Sequence, residues 1–285
     1  MSQVELALVY AFVDEGRGGN PAGVVLDGDR FSPAQRQALA ARAGFSETAF
    51  VCASDTADVR LDIYTPTRPI PHCGHATVGA FVQLLAAGRL TPGEWVNETV
   101  DGPRRIRLSD GRAFLEQTVP QLEGLATEVE TRLLAALGVG REDLLPGFRP
   151  QLARNGNGTL LVPLAEEATL ARLAPVMDAL ADLSEALNGV GAYVFVPRRD
   201  QARQAAVRMF APAYGIPEES ATGMMAGPLG YWLRQVLGLP GRTFLVEQGR
   251  LMTPPSPSVL RVDVEADRVW VGGEARVART LSLDL

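Results

Sequence analysis

Apolar and polar residues alternate from Val4 to Val13, the period of a strand with one buried face. A glycine-rich stretch from Gly16 to Gly19 then leads to Asn20, Pro21 and a short apolar run from Gly23 to Leu26, which predicts a hairpin with a long loop. A helix is predicted from Pro33 to Ala43. Ser32 is its N-cap, Pro33 suits the first helical position, Gln35 completes a capping box and Gly44 ends it. Thr48 to Ala53 and Val59 to Thr65 read as two strands.

Between Ala76 and Ala87 the pattern changes. Val78, Phe81, Val82, Leu84 and Leu85 spread around most of a helix, leaving little besides Thr77 and Gln83 to face water. A helix apolar on nearly every side is buried, and a sheet must curl around it because one flat face covers only part of its surface. The second half repeats the arrangement: Ile63-Tyr64-Thr65-Pro66, a loop and His75-Ala76-Thr77 are matched by Met209-Phe210-Ala211-Pro212, a loop and Ala221-Thr222-Gly223. The offset of about 146 residues, half the chain, predicts an internal duplication. The second helix, through Leu229, Tyr231, Trp232, Leu233 and Leu237, is also apolar nearly all round, with Pro228 near its first turns or kinking it. Amphipathic helices are predicted at Leu125 to Leu137 and Leu170 to Leu187. Further strands fall near Thr159 to Pro163, Tyr193 to Pro197, Phe244 to Glu247, Leu260 to Val264 and Val269 to Gly272. The boundary falls near Val119 to Gly124. This gives an N-terminal half of residues 1–119 carrying the candidate acid/base and a C-terminal half of residues 120–285, whose final strands could cross back to the first.

Composition narrows the function. With 285 residues, 46% of them hydrophobic and 21% charged, the chain has the material for a large core. A net charge of -6 argues against nucleic acid or an anionic membrane as partner. The first residues do not form a signal peptide and no apolar run is long enough to span a bilayer, so a cytoplasmic location is expected. Two cysteines, Cys52 and Cys73, are too few for a disulfide framework. The chain has no lysine, which excludes pyridoxal chemistry built on a lysine Schiff base and P-loop phosphate binding.

Candidate chemistry is confined to a few places. Glu47 lies between a helix stop and a strand, flanked by Phe45, Ala49 and Phe50, and burial there would raise its pKa toward the range of a general acid/base. The same residue could instead cap or face water. His72-Cys73-Gly74-His75 puts two histidines and a thiol at the mouth of the first buried helix, but zinc-type spacing is missing and no metal is expected. His75 near a helix N-terminus is expected to be neutral, or to be a structural histidine. Gly74-His75 and Gly223-Met224 place backbone N–H groups at both helix starts, where carboxylates or developing oxyanions bind, although these glycines could equally serve tight turns.

Taken together, Gly19-Asn20-Pro21-Ala22, Ser46-Glu47-Thr48-Ala49-Phe50, Cys73-Gly74-His75-Ala76-Thr77, Ala221-Thr222-Gly223 and Glu247-Gln248-Gly249 resemble, in order and spacing, the PhzF-like isomerases of phenazine biosynthesis, with a diaminopimelate-epimerase-like fold. The resemblance implies an α+β protein of two pseudo-symmetric domains, each a rolled mixed β-sheet wrapped around a central buried α-helix, with the active site between them, and a homodimer. It implies catalysis without metal or organic cofactor on a small anionic metabolite. The glutamate matching Glu47 takes a proton from one carbon and returns it to another on the same face, assisted by His75 and Glu219. Asn20, Cys73, Gly74, Thr222, Gly223 and Met224 are the implied substrate-binding residues. The chain departs from the family in carrying Glu218-Glu219 for an aspartate and Met224 for a serine. It also has Thr253-Pro254-Pro255-Ser256 where an arginine commonly precedes Pro-Ser. Epimerases of this fold use two opposed cysteines, and the second-half motif here has none. An epimerase or racemase using Glu47 with Cys73 or His75, and a binding protein without chemistry, are the alternatives.

Overall fold

In a computed structural model of the chain, which describes residues 3–199 and 201–284, the first alternating run forms strand β1 (Gln3–Ala11), antiparallel to β2 (Asn20–Val25) in the expected hairpin. Two compact units emerge, one of residues 1–116 with 272–285 and one of residues 117–271.

In the first unit, helix α1 (Pro33–Ala43) carries the full Ser32–Gln35 capping box and ends on Gly44 in the left-handed region. After it come β3 (Thr48–Cys52), β4 (Val59–Tyr64), the short β5 (Pro69–Ile70), helix α2 (Gly74–Ala86), β6 (Gly93–Thr99), β7 (Gly102–Ser109) and β8 (Arg112–Thr118). Strand β2 pairs parallel with β3, β3 antiparallel with β4, β4 parallel with β6, and β6 antiparallel with β7, which pairs with β8. The C-terminal strand pairs with both β8 and β1, so the strands encircle α2. That ring buries α2 continuously from His75 to Val82 and again at Leu84, with β1, β2, β3 and β7 packed against it. A second apolar layer, in which Phe31 and Leu39 meet Phe50 and Tyr64, fastens α1 to the sheet.

The second unit repeats the order. It contains β9 (Gln121–Gly124), α3 (Thr127–Leu137), β10 (Gln151–Asn155), β11 (Asn157–Pro163), α4 (Glu167–Ala171), α5 (Met177–Ala186), β12 (Gly189–Pro197) and β13 (Ala205–Ala211). The short β14 (Ile216–Glu219), α6 (Gly223–Gln235), β15 (Thr243–Gln248), β16 (Ser258–Val264) and the start of β17 (Arg268–Asp284) complete it. The run β11 parallel to β12, antiparallel to β13, parallel to β15 and antiparallel to β16 matches β2, β3, β4, β6 and β7 sense for sense. Helix α6 stands between β13 and β15 as α2 stands between β4 and β6, so the duplication seen in sequence is a duplication of topology. The protein is therefore an α+β fold in which a mixed sheet is wrapped around a buried helix in each unit.

Two expectations are corrected. The single helix expected from Leu170 to Leu187 is α4 and α5, separated at Pro175, which has no N–H to donate and disfavours helix at the residue before it. The strand expected to end near Gly272 runs on as β17 to Asp284, and most of its outer half is exposed. Among the described residues, no helix is long and apolar enough to cross a membrane.

Candidate functional site

The first unit brings Asn20, Glu47, Cys73, Gly74 and His75 to one place. Glu47 directly precedes β3, and its carbonyl accepts a hydrogen bond of 2.9 Å from the Gly23 N–H of β2, which fixes the backbone that carries the carboxylate. Cys73 is the N-cap of α2, and Gly74 and His75 are its first two residues. Thr77 closes the turn by donating its hydroxyl to the Cys73 carbonyl at 2.8 Å. A Cβ on Gly74 would meet no atom within 4 Å, so there is open space beside the first residue of α2.

His75 is the hub. Its Nε2 lies 3.1 Å from Glu47 Oε2, at ion-pair distance, although the ring N–H is not aligned closely enough on that oxygen for a geometric hydrogen bond. Its Nδ1 lies 3.2 Å from Asn20 Nδ2 and 3.3 Å from Cys73 Sγ. The His75 side chain is 5% exposed and that of Glu47 16%, so the pair interacts away from bulk water. His72 is not part of the group; its ring faces Asp101 at 3.2 Å.

The protonation states differ from those expected. Burial does work to raise the Glu47 pKa, but the adjacent His75 ring and its charge, with help from Ser46, outweigh it and hold the carboxylate below its usual range. Burial likewise works to keep His75 neutral, yet the Cys73 sulfur and the Glu47 carboxylate push its pKa well above the ordinary value. Burial pushes the Cys73 thiol itself up, so near neutral pH it carries its hydrogen and Glu47 is the partner that charges His75. The ion pair therefore overrides both the desolvation expected at Glu47 and the helix-dipole effect expected at His75.

In the second unit, Glu219, Thr222, Gly223 and Met224 gather at the start of α6. Glu218 and Glu219, adjacent on β14, face opposite ways as strand neighbours must. Glu218 takes two 2.8 Å bonds from the Arg208 guanidinium and is spent on structure, whereas Glu219 Oε2 accepts the Thr222 hydroxyl at 2.5 Å. Gly223 and Met224 are the first two residues of α6, and the Gly223 carbonyl accepts 3.0 Å from Gln117 Nε2. Pro228 lies inside α6, where it cannot donate to the preceding turn.

Two residues of this group escaped the sequence reading of individual positions. Gln248, 1% exposed, donates to the Glu219 carbonyl at 2.8 Å and to Thr222 Oγ1 at 3.1 Å. Its oxygen accepts the Thr222 N–H at 3.2 Å and the Tyr193 hydroxyl at 2.8 Å. Burial and the Glu219 charge push the Tyr193 phenol well above its usual range, so it is a neutral donor. Gln248 thus ties β15 to the end of β14 at Glu219 and to the N-cap of α6 at Thr222. The Glu247-Gln248-Gly249 motif was its only signal, since no hydrophobic period marks a buried amide.

As a set, Glu47, Cys73 and His75 put a carboxylate oxygen, a sulfur and a ring nitrogen within 4.8 Å of one another. Such a group can accept and return a proton, and its atoms are also of the types that ligate metals.

The chain is similar to known proteins over nearly its whole length. The family model described as phenazine biosynthesis-like protein, PhzC-PhzF, matches residues 9–280. An uncharacterized isomerase, YddE of Escherichia coli (strain K12), is 35% identical, with 94% of each chain covered. Trans-2,3-dihydro-3-hydroxyanthranilate isomerase of Pseudomonas aeruginosa is 31% identical over 92% of this chain and 91% of its own. A crystal structure of the Bacillus anthracis phenazine biosynthesis protein of the PhzF family superimposes with a TM-score of 0.86 at 26% identity, covering all of both chains. Together with the duplicated α+β topology, these similarities establish that the chain belongs to the phenazine biosynthesis-like PhzC-PhzF family and is an isomerase.

Proposed function

We propose that this isomerase moves a proton between carbon atoms of a small anionic metabolite without metal or organic cofactor, Glu47 acting first as base and then as acid. The observation that carries the reading is the buried 3.1 Å pairing of Glu47 with His75 at the start of α2. In this reading an ionised carboxylate, held by His75 and Ser46, removes a proton from a carbon made acidic by a neighbouring unsaturated or carboxyl group. The N–H groups of the first turns of α2 and α6, including Gly74, Gly223 and Met224, are of the kind that stabilises the negative charge that develops. His75 then supports the protonated Glu47 while the proton is returned, and Glu219 and Asn20 orient polar substrate groups.

Glu47, Cys73 and His75 touch one another, which supports transfer on one face of the substrate. An epimerase needs an acid and a base flanking the reacting carbon from opposite sides, and groups in mutual contact cannot flank it.

The test is proton exchange in deuterated water, followed by NMR on a panel of small carboxylates. The panel includes trans-2,3-dihydro-3-hydroxyanthranilate, the compound named for the Pseudomonas relative. Glu47→Gln should lower turnover by about 10²–10⁴-fold with an unchanged circular dichroism spectrum. A variant that retains the parent rate removes Glu47 from the mechanism.

A further inference from the structure

Thr222 is the N-cap of α6, where a threonine oxygen ordinarily accepts an N–H of the first turn. Among the described residues no such bond is made; the hydroxyl is turned instead to Glu219 and Gln248. Two backbone groups set the direction of the bonds around it. The Thr222 N–H only donates and the Glu219 carbonyl only accepts, so the Gln248 oxygen must face the first, at 3.2 Å, and the Gln248 nitrogen the second, at 2.8 Å. That fixes which end of the amide is which, and its remaining N–H meets Thr222 Oγ1 at 3.1 Å. Since Oγ1 accepts there, its own hydrogen goes to another partner. Glu219 Oε2 lies 2.5 Å away, the length of a hydroxyl bound to an ionised carboxylate. Thr222 and Gln248 are both buried, so water does not compete for these positions.

We propose that Thr222, directed by Gln248, is a positioning residue for Glu219: its hydroxyl hydrogen holds the carboxylate in one place, as a hydrogen-bond acceptor, for the substrate group that Glu219 orients. The proposal rests on that reading of Glu219, and it moves Thr222 from substrate ligand to a residue that acts through its neighbour. A glutamate side chain turns about several bonds, and fixing one oxygen at its end removes much of that freedom before a substrate arrives. The tether itself is local, three residues along the chain, but its direction is imposed from β15 through Gln248.

Crystal structures of the full chain and its Thr222 variants test this. Thr222→Val keeps the branched shape without the hydroxyl, and Thr222→Ser keeps the hydroxyl. The Glu219 carboxylate should move by about 1 Å or more in Thr222→Val, a displacement large enough to impair an enzyme, and stay in place in Thr222→Ser. Thr222→Ala, which also lacks the hydroxyl, should repeat the displacement. Neutron diffraction from deuterium-exchanged crystals of the parent protein should find the Thr222 deuterium directed at Glu219 Oε2. A carboxylate that keeps its place in either variant lacking the hydroxyl, or a hydroxyl deuterium directed at any other atom, overturns the proposal. On a small carboxylic acid that the parent protein turns over, Thr222→Val should raise KM about tenfold or more with a smaller change in kcat, and Thr222→Ser should restore KM. If the displacement is seen and KM keeps its parent value, the tether stands and the substrate-orienting role of Glu219 falls.

Discussion

Glu218 and Glu219 are consecutive acids with different fates, and the difference is set by which side of β14 each one faces. Arg208 and Glu218 are mostly buried, with side chains 10% and 15% exposed. Replacing Arg208 by Met leaves a desolvated carboxylate behind and should cost about 3–5 kcal/mol in a urea titration. Glu219→Gln should instead leave the urea midpoint nearly unchanged and lower turnover. Gly249 makes a related point: it holds φ at +77°, and a Cβ there would lie 2.1 Å from the Ser256 carbonyl oxygen and 2.8 Å from that of Ser220. Gly249→Ala should therefore destabilise the fold by about 1–3 kcal/mol. At this scale the sequence pointed to Glu47 by its apolar flanks and to His75 by its place at a helix start, with a bland reading open for each. It did not show their charge states, since each depends on a partner far away in the chain. Gln248 and Tyr193 were hidden for the same reason: their contacts exist only after β12 and β15 have found the loop before α6.

Among the elements, α1 was legible to the residue because its start and stop are local chemistry. Ser32 accepts from the Gln35 N–H and Gln35 answers on the Ser32 N–H, so Ser32→Ala should cost about 1 kcal/mol by thermal or urea denaturation. The two central helices were legible for the opposite reason: their missing polar faces demanded a surrounding sheet. The region from Glu167 to Ala186 was misread because its apolar period continues past Pro175. Tertiary contacts use the break: the Val176 N–H reaches the Ala136 carbonyl at 2.8 Å, and Arg208 Nη1 bonds the Leu170 and Leu173 carbonyls at 3.3 and 2.9 Å. The length of β17 was illegible because most of its outer half is exposed and is held by pairing with β1.

For the whole molecule, a duplicated pattern and a set of five short motifs were enough to recover fold and family, because duplication and motif order survive at identities near 30%. The arginine-only basic complement also has a consequence for stability. Burial works to raise the Glu247 pKa, but Arg250 and Arg203 outweigh it and hold the carboxylate below its usual range, and Arg198 holds Glu167 below its own. A carboxylate with a lowered folded-state pKa stabilises the protein above its unfolded value, about 4.3, and this contribution is lost as pH falls through the folded one. Tm should therefore decline as pH drops below about 5, and a Tm unchanged down to strongly acidic pH would rule out a stabilising role for these pairs.

The most direct test of Glu47 and His75 as a proton-transfer pair is hydrogen exchange at substrate carbon, measured side by side in the parent protein and Glu47→Gln. The pairing predicts rapid exchange in the parent protein on at least one small carboxylate and near-total loss in the folded variant. Equal exchange or equal turnover in both proteins would contradict it.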